Sequence, residues 1–242
     1  MKALENQVAV VTGASSGIGK AVALALAAEG VTLCLVGRRN EALQAVAAEA
    51  QGKAPQPFCY QADLSLEGDI QSLIAGIKRD VKSVDILIHS AGVICLGPIA
   101  RAPAEQLDSQ YKVNVRAPYL LTQALLPLLK SRPGQVVFMN SSAGLTARAN
   151  AGQYAASKHA LKAVADSLRV EANPAGVRVL SLFLGRTASP MQASVYHMEN
   201  RKYQPELLMQ PEDVASVAIH ALCLPRSVEV TDISMRPLVK AY

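Results

Sequence analysis

Tryptophan is absent from this chain and phenylalanine is rare; aromatic residues fill only 4% of its 242 positions. Large rings therefore cannot build the core. Ala, Val and Leu must, and that composition suits helices packed on a parallel sheet. Cysteine is scarce too, and its four copies, Cys34, Cys59, Cys95 and Cys223, are widely separated with no Cys-x-x-Cys pair. Such spacing argues against a disulfide framework or a metal site and for reduced thiols acting as small hydrophobes. No apolar run approaches the roughly 20 residues needed to span a bilayer. Residues 1–7 carry a charge and polar groups instead of the apolar stretch of a signal peptide. Together these absences predict a cytoplasmic protein with no membrane contact.

Charge of one sign is only mildly in excess, at +5, and the bases are scattered. No aromatics are interleaved with them, so no nucleic-acid partner is expected. At 50% hydrophobic and 18% charged residues, the composition is that of a folded globular protein.

Short β-branched runs at 7–12, 31–36, 57–62, 85–89, 135–140, 177–184 and 228–234 read as strands. Ala- and Leu-rich segments at 18–28, 41–49, 66–81, 104–129, 153–171 and 211–222 read as helices between them. Continuous apolar strands imply burial on both faces, and alternation with helices implies right-handed crossovers. The expected fold class is α/β: a single domain over 1–242, a doubly wound parallel sheet (a Rossmann fold) of about seven strands with helices on both faces. Pro118 falls inside a helical pattern and Pro127 near its end, so a kink or break is expected there.

After the first strand comes Thr12-Gly13-Ala14-Ser15-Ser16-Gly17-Ile18-Gly19, opening an Ala-rich helix. Glycines permit close backbone approach to a pyrophosphate, and the helix start offers unpaired N–H groups. The alternative is a tight turn needing glycine for packing alone. The second strand runs into Val36-Gly37-Arg38-Arg39, with no acid before Glu41. A carboxylate there would hold a ribose 2′-OH, whereas a guanidinium can clamp a 2′-phosphate. NADP(H) is therefore the expected cofactor, with Arg38 and Arg39 at its phosphate.

Tyr154 and Lys158 are four residues apart and share a helical face, with Ser141 upstream. A neighbouring ammonium is expected to pull a phenol's pKa down from about 10, toward the range where proton transfer is useful. A serine hydroxyl can bond the same substrate oxygen. The set is a device for moving a proton on or off an alcohol or carbonyl oxygen.

On these residues the chain resembles the short-chain dehydrogenase/reductase (SDR) family over nearly its whole length. The resemblance implies that Gly13, Ser15, Ser16, Gly17, Ile18 and Gly19 form the phosphate turn. Asp63 and Leu64 correspond to the adenine-contacting pair, and Ala91-Gly92 to the end of the family's Asn-Asn-Ala-Gly segment. Asn114, Ser141, Tyr154 and Lys158 correspond to the catalytic group. Ser141 is preferred to Ser142 because the family places glycine three residues after the serine, and Gly144 fits. In that family the Tyr exchanges a proton with substrate oxygen, and the Lys holds the nicotinamide ribose and depresses the Tyr pKa. The Ser orients the carbonyl, and the Asn completes a proton relay. Gly185 matches the glycine after the sixth strand, and either Ser189 or Thr187 the carboxamide-binding Thr.

His89-Ser90 replaces the usual Asn-Asn, and a structural role for His89 is preferred to a catalytic imidazole. Residues 189–210 are expected to form the substrate lid, in which Met191, Tyr196, Met198 and Tyr203 either line a pocket or pack. The carboxyl-terminal stretch lacks the Asp-Gly-Gly ending of fatty-acid-type ketoreductases. The expected function is an NADP(H)-dependent oxidoreductase interconverting a small-molecule carbonyl and alcohol. The alternatives are a catalytically silent NADP(H)-sensing regulator and a cofactor-retaining epimerase or isomerase. The resemblance also implies a homodimer or homotetramer.

Overall fold

The computed structural model describes residues 3–239. Met1 and Lys2, the start of the stretch read against a signal peptide, lie outside the described residues, as do the last three positions of the 1–242 span. Seven parallel strands form one sheet: β1 (Val8–Thr12), β2 (Thr32–Gly37), β3 (Phe58–Gln61), β4 (Ile86–His89), β5 (Gln135–Ser141), β6 (Arg178–Leu184) and β7 (Asp232–Met235). Their spatial order is β3-β2-β1-β4-β5-β6-β7. β1 is paired on both edges, Val10 standing opposite Cys34 on one side and Leu87 on the other. That position explains its unbroken Val-Ala-Val-Val run, since neither face nor edge meets water.

Helices α1 (Gly17–Ala28), α2 (Asn40–Glu49) and α8 (Pro211–Leu222) cover one face, with Leu26, Leu43 and Val214 in its core. α3 (Glu67–Asp80), α5 (Ala117–Lys130) and α6 (Gly152–Ala172) cover the other, burying Ile77, Leu121, Leu125, Leu161 and Leu168. Phe138 and Phe183 are among the largest fully buried side chains; aliphatic residues supply most of the rest, as the missing rings required.

Three features depart from the sequence reading. The predicted helix 104–129 is divided into α4 (Ala104–Tyr111), a π-helical turn (Lys112–Arg116) and α5. Pro118 supplies the reason. It has no N–H for the carbonyl of Asn114 four residues earlier, and the ladder shifts register so that Ala117 N bonds Lys112 O. α5 continues through Pro127 to Lys130. Second, the segment after Ser189 is not all loop: it contains α7 (Pro190–Met198), capped by the Ser189 hydroxyl accepting from Gln192 N. Third, β7 begins at Asp232, four residues later than its predicted start at 228.

Candidate active site

Loops at the carboxyl ends of the strands enclose a cleft of about 370 Å³. It lies where the chain, having laid β2 and β3 to one side of β1, returns to place β4 on the other. Such a switch point parts the following loops and leaves a crevice.

At one end, Ser15, Ser16, Gly17 and Ile18 line the wall at the start of α1. Ser16 makes no side-chain cap and the first turn of α1 holds no acid, so the N–H groups there lack a side-chain acceptor. An anion fits such a position. Gly13 has φ +68°, and a Cβ on it would stand 2.9 Å from the Ala91 backbone. One on Gly19 would stand 2.3 Å from Gly13 O. These two glycines are thus demanded by packing of the turn itself. Thr12 ties the turn to the loop after β4: its hydroxyl donates to Ile88 O and accepts from Ser90 N and Ala91 N.

Arg38 is exposed at the cleft edge, whereas Arg39 stands at the start of α2 outside the cleft lining. Asp63 and Leu64 line the wall after β3. Hydrogen bonds from the Ser65 N–H and hydroxyl, aided by the Arg38 charge, hold the Asp63 carboxyl below its ordinary range.

At the other end, β5 delivers Ser141 and α6 delivers Tyr154 and Lys158, all facing the cleft. The Ser141 hydroxyl lies beside the Tyr154 phenol. Ser141 is held in turn by its Oγ accepting from Ala143 N at 3.1 Å. A Cβ on Gly144 would stand 2.8 Å from Asn140 Oδ1 and 2.9 Å from Lys158 O, so glycine lets the loop after Ser141 pass tightly against α6.

The proton affinities differ from the expectation. Burial pushes the Tyr154 phenol above its ordinary value, with the nearby Ser141 hydroxyl opposing. Lys158 stands beside the ring. Its Nζ is 5.8 Å from the Tyr154 ring centroid and donates to Met139 O at 3.2 Å. Burial lowers the Lys158 pKa to about 8.

Asn114 is fully buried behind this end and does not line the cleft. Its Oδ1 accepts from Val93 N, and its Nδ2 donates to Val93 O and to Ser157 Oγ. Gly92 lies against it: a Cβ there would stand 3.3 Å from Asn114 Oδ1 and 4.0 Å from Lys158 Nζ. Ser157 went unremarked in the sequence, since a helical serine carries no signal of what it meets.

Gly185, Thr187 and Ser189 also line the cleft. Thr187 Oγ1 donates to Gly185 O, while Ser189 Oγ donates to Thr187 O and accepts from Gln192 N. Of the residues after Ser189, Met191 faces the cleft, Met198 is exposed, and Tyr196 is buried edge-on against Tyr203. His89 is buried in the sheet, with Nε2 on Thr122 Oγ1 at 2.8 Å and its ring stacked on Phe138. Burial drops its pKa to about 3. It does not line the cleft. Among the described residues no cluster of potential metal ligands occurs, all four cysteines are free, and no helix is long and apolar enough to cross a membrane.

Comparison with known proteins agrees with this architecture. Residues 7–200 match the family described as short chain dehydrogenase. An uncharacterized oxidoreductase of Staphylococcus epidermidis is 30% identical over 239 residues, covering 98% of this chain and all of that protein. An alcohol dehydrogenase of the archaeon Thermococcus sibiricus, solved with 5-hydroxy-NADP, superposes with a TM-score of 0.89 at 26% identity, covering 98% and 99% of the two chains. A short chain dehydrogenase of Shigella flexneri, solved with NADP, gives 0.87 at 32% identity, covering 97% and 99%.

Proposed function

This chain belongs to the short chain dehydrogenase family of oxidoreductases, and we propose that it uses NADP(H) to interconvert a carbonyl and an alcohol. The observation that carries this reading is the convergence of Ser141, Tyr154 and Lys158 on one cleft, with Lys158 Nζ 5.8 Å from the Tyr154 ring. The fit of the cofactor is supported by the uncapped start of α1, which suits a pyrophosphate, and by Arg38 at the end of β2, which suits a 2′-phosphate. Gly13, Ser15, Ser16, Gly17, Ile18 and Gly19 would hold the phosphates. Asp63, Leu64, Ala91 and Gly92 would flank the adenosine, and Gly185, with Thr187 or Ser189, the carboxamide.

When bound, the nicotinamide supplies hydride to the carbonyl carbon. The chain's own residues manage the oxygen. Ser141 orients it by a hydrogen bond, and Tyr154 gives it a proton, so that carbon gains hydride and oxygen gains the phenolic hydrogen. A phenol held above its ordinary pKa stays protonated at neutral pH, which favours reduction over alcohol oxidation. Lys158 would hold the nicotinamide ribose and offer a positive charge to the phenolate left behind. Behind it, Asn114 would complete a relay that returns the proton from solvent.

Residues 189–210 would serve as the substrate lid of a single domain. Leu107, Tyr111 and Tyr119, exposed along α4 and α5, support a homodimer or homotetramer, which light scattering tests. The setting is proposed to be cytoplasmic.

Tyr154→Phe is the direct test. Turnover of NADPH with aldehydes, ketones or quinones should drop at least about 10²-fold while NADPH still binds. Comparable turnover by the variant removes the proposed acid. NADPH binding without oxidation across such a panel would point instead to a nucleotide sensor, and product without net NADPH consumption to an isomerase.

A further inference from the structure

The substrate end of the cleft carries positive charge that its own side chains do not balance. Among the described residues lining that end, Arg148, Lys158 and Arg186 are cationic and Glu199 is anionic. Arg186 directly follows Gly185 at the end of β6. Its Nη2 donates to both carboxylate oxygens of Glu199, at 2.7 and 2.8 Å, and its guanidinium lies over the buried Tyr196 ring at 4.8 Å. The group is thereby fixed in place, yet its Nη1 is buried with no hydrogen-bond acceptor. Gln192 Nε2, on the same cleft wall, is likewise buried without one. Arg148 enters from the loop between β5 and α6, six residues before Tyr154. It is exposed, and among the described residues its guanidinium has no partner.

These donors need acceptors. A buried N–H on a cation left unpaired is costly, and a carboxylate oxygen is the acceptor that matches it best. Glu199 opposes such a ligand weakly, because both its oxygens are held by Arg186 and it also faces Arg201 at 3.7 Å. The cofactor's phosphates have a separate match at the start of α1 and at Arg38. The same cleft is also lined by Ile94, Leu96, Val113, Met191 and Val195, which supply apolar surface.

We propose that the substrate is a carbonyl compound bearing a carboxylate on an apolar body, with Arg186 and Arg148 binding the carboxylate; this rests on the oxidoreductase reading above. A site built to bond a charged group rejects the analogue that lacks it more strongly than any apolar wall can.

The test follows NADPH oxidation by the full chain with para-formylbenzoate and with its methyl ester, two aldehydes that differ in charge. The acid should show a kcat/KM at least about tenfold above the ester, a gap that narrows as salt rises. Arg186→Gln and Arg148→Ala should each lower the acid-to-ester ratio about tenfold, through KM, with NADPH affinity held. Arg148 lies on an exposed loop, so its variant remains informative even where Arg186→Gln fails to fold. An ester used as well as the acid, or a ratio moved by neither substitution, overturns the proposal and leaves the oxidoreductase reading standing. Loss of NADPH affinity in Arg186→Gln also overturns it, by assigning that side chain to the cofactor. No oxidation with either aldehyde counts against the oxidoreductase reading itself, and the proposal falls with it.

Discussion

Asn114 donates from Nδ2 to Ser157 Oγ across 3.0 Å, joining the π-helical turn to α6 one residue before Lys158. Ser157 passes the bond on, donating from the same oxygen to Tyr154 O at 2.8 Å. The loop after β4, the π turn and α6 are thus sewn together by a buried polar chain directly beneath the proposed acid. Ser157→Ala should leave one Asn114 N–H buried and unpaired, at a cost of about 1–3 kcal/mol. Denaturant unfolding measures the loss. Because the chain positions Tyr154, kcat should fall more than NADPH affinity. A variant of unchanged stability would show that the amide finds another acceptor.

Lys158 gives a pH signature. Burial lowers its pKa in the free protein from 10.5 to about 8, so it loses its charge as pH rises through 8. An anionic ligand prefers the charged form. NADPH affinity should therefore weaken above pH 8, by up to about tenfold per pH unit, and Lys158→Met should flatten the profile. Stability follows with its own sign. Between about 8 and 10.5 the unfolded chain binds the extra proton, so this group's burial penalty is relieved as pH rises across that window. Titration of NADPH by fluorescence at pH 7, 8 and 9 checks the binding; equal affinities at all three would refute the assignment.

Arg38 is exposed at the cleft edge and Arg39 lies outside the lining. Charge-assisted guanidinium bonds to phosphate are worth roughly 1.5–3 kcal/mol, or about 10–100-fold in affinity. Arg38→Ala should weaken NADPH by that factor and NADH far less, while Arg39→Ala should change their ratio little. Parallel losses for both cofactors in Arg38→Ala would count against NADP(H) preference.

The residues that were legible in the sequence were those whose signal is local. β1 and β4 read correctly as strands because burial on both faces leaves an uninterrupted aliphatic run. The Tyr154–Lys158 spacing correctly put both groups on one helical face. What spacing does not contain is depth. Lys158 donates to Met139 O, and burial decides the direction in which both groups shift. Pro118 marks the break in the sequence but not its form, because the π turn shifts a hydrogen-bond register without breaking the apolar pattern on either side of it. Ser157 and Arg186 were unreadable for a related reason: their partners, Asn114 and Glu199, are brought to them by tertiary structure, 43 and 13 residues away.

His89 supplies an acid limb for stability. It is buried, stacked on Phe138, and held by burial at a pKa of about 3 against an ordinary 6.5. Below pH 6.5 the unfolded chain takes up a proton that the folded chain refuses until about 3. This residue's contribution is therefore full above 6.5 and is lost as pH falls toward 3. At about 1.4 kcal/mol per unit of pKa separation, roughly 2 kcal/mol should disappear between pH 7 and pH 5. His89→Asn removes the titrating group whatever it does to absolute stability. Denaturant midpoints at the two pH values should converge in the variant by about that amount. A variant as acid-sensitive as the parent would mean that the imidazole takes up its proton as readily inside the fold as in the unfolded chain, so that burial against Phe138 does not set its titration.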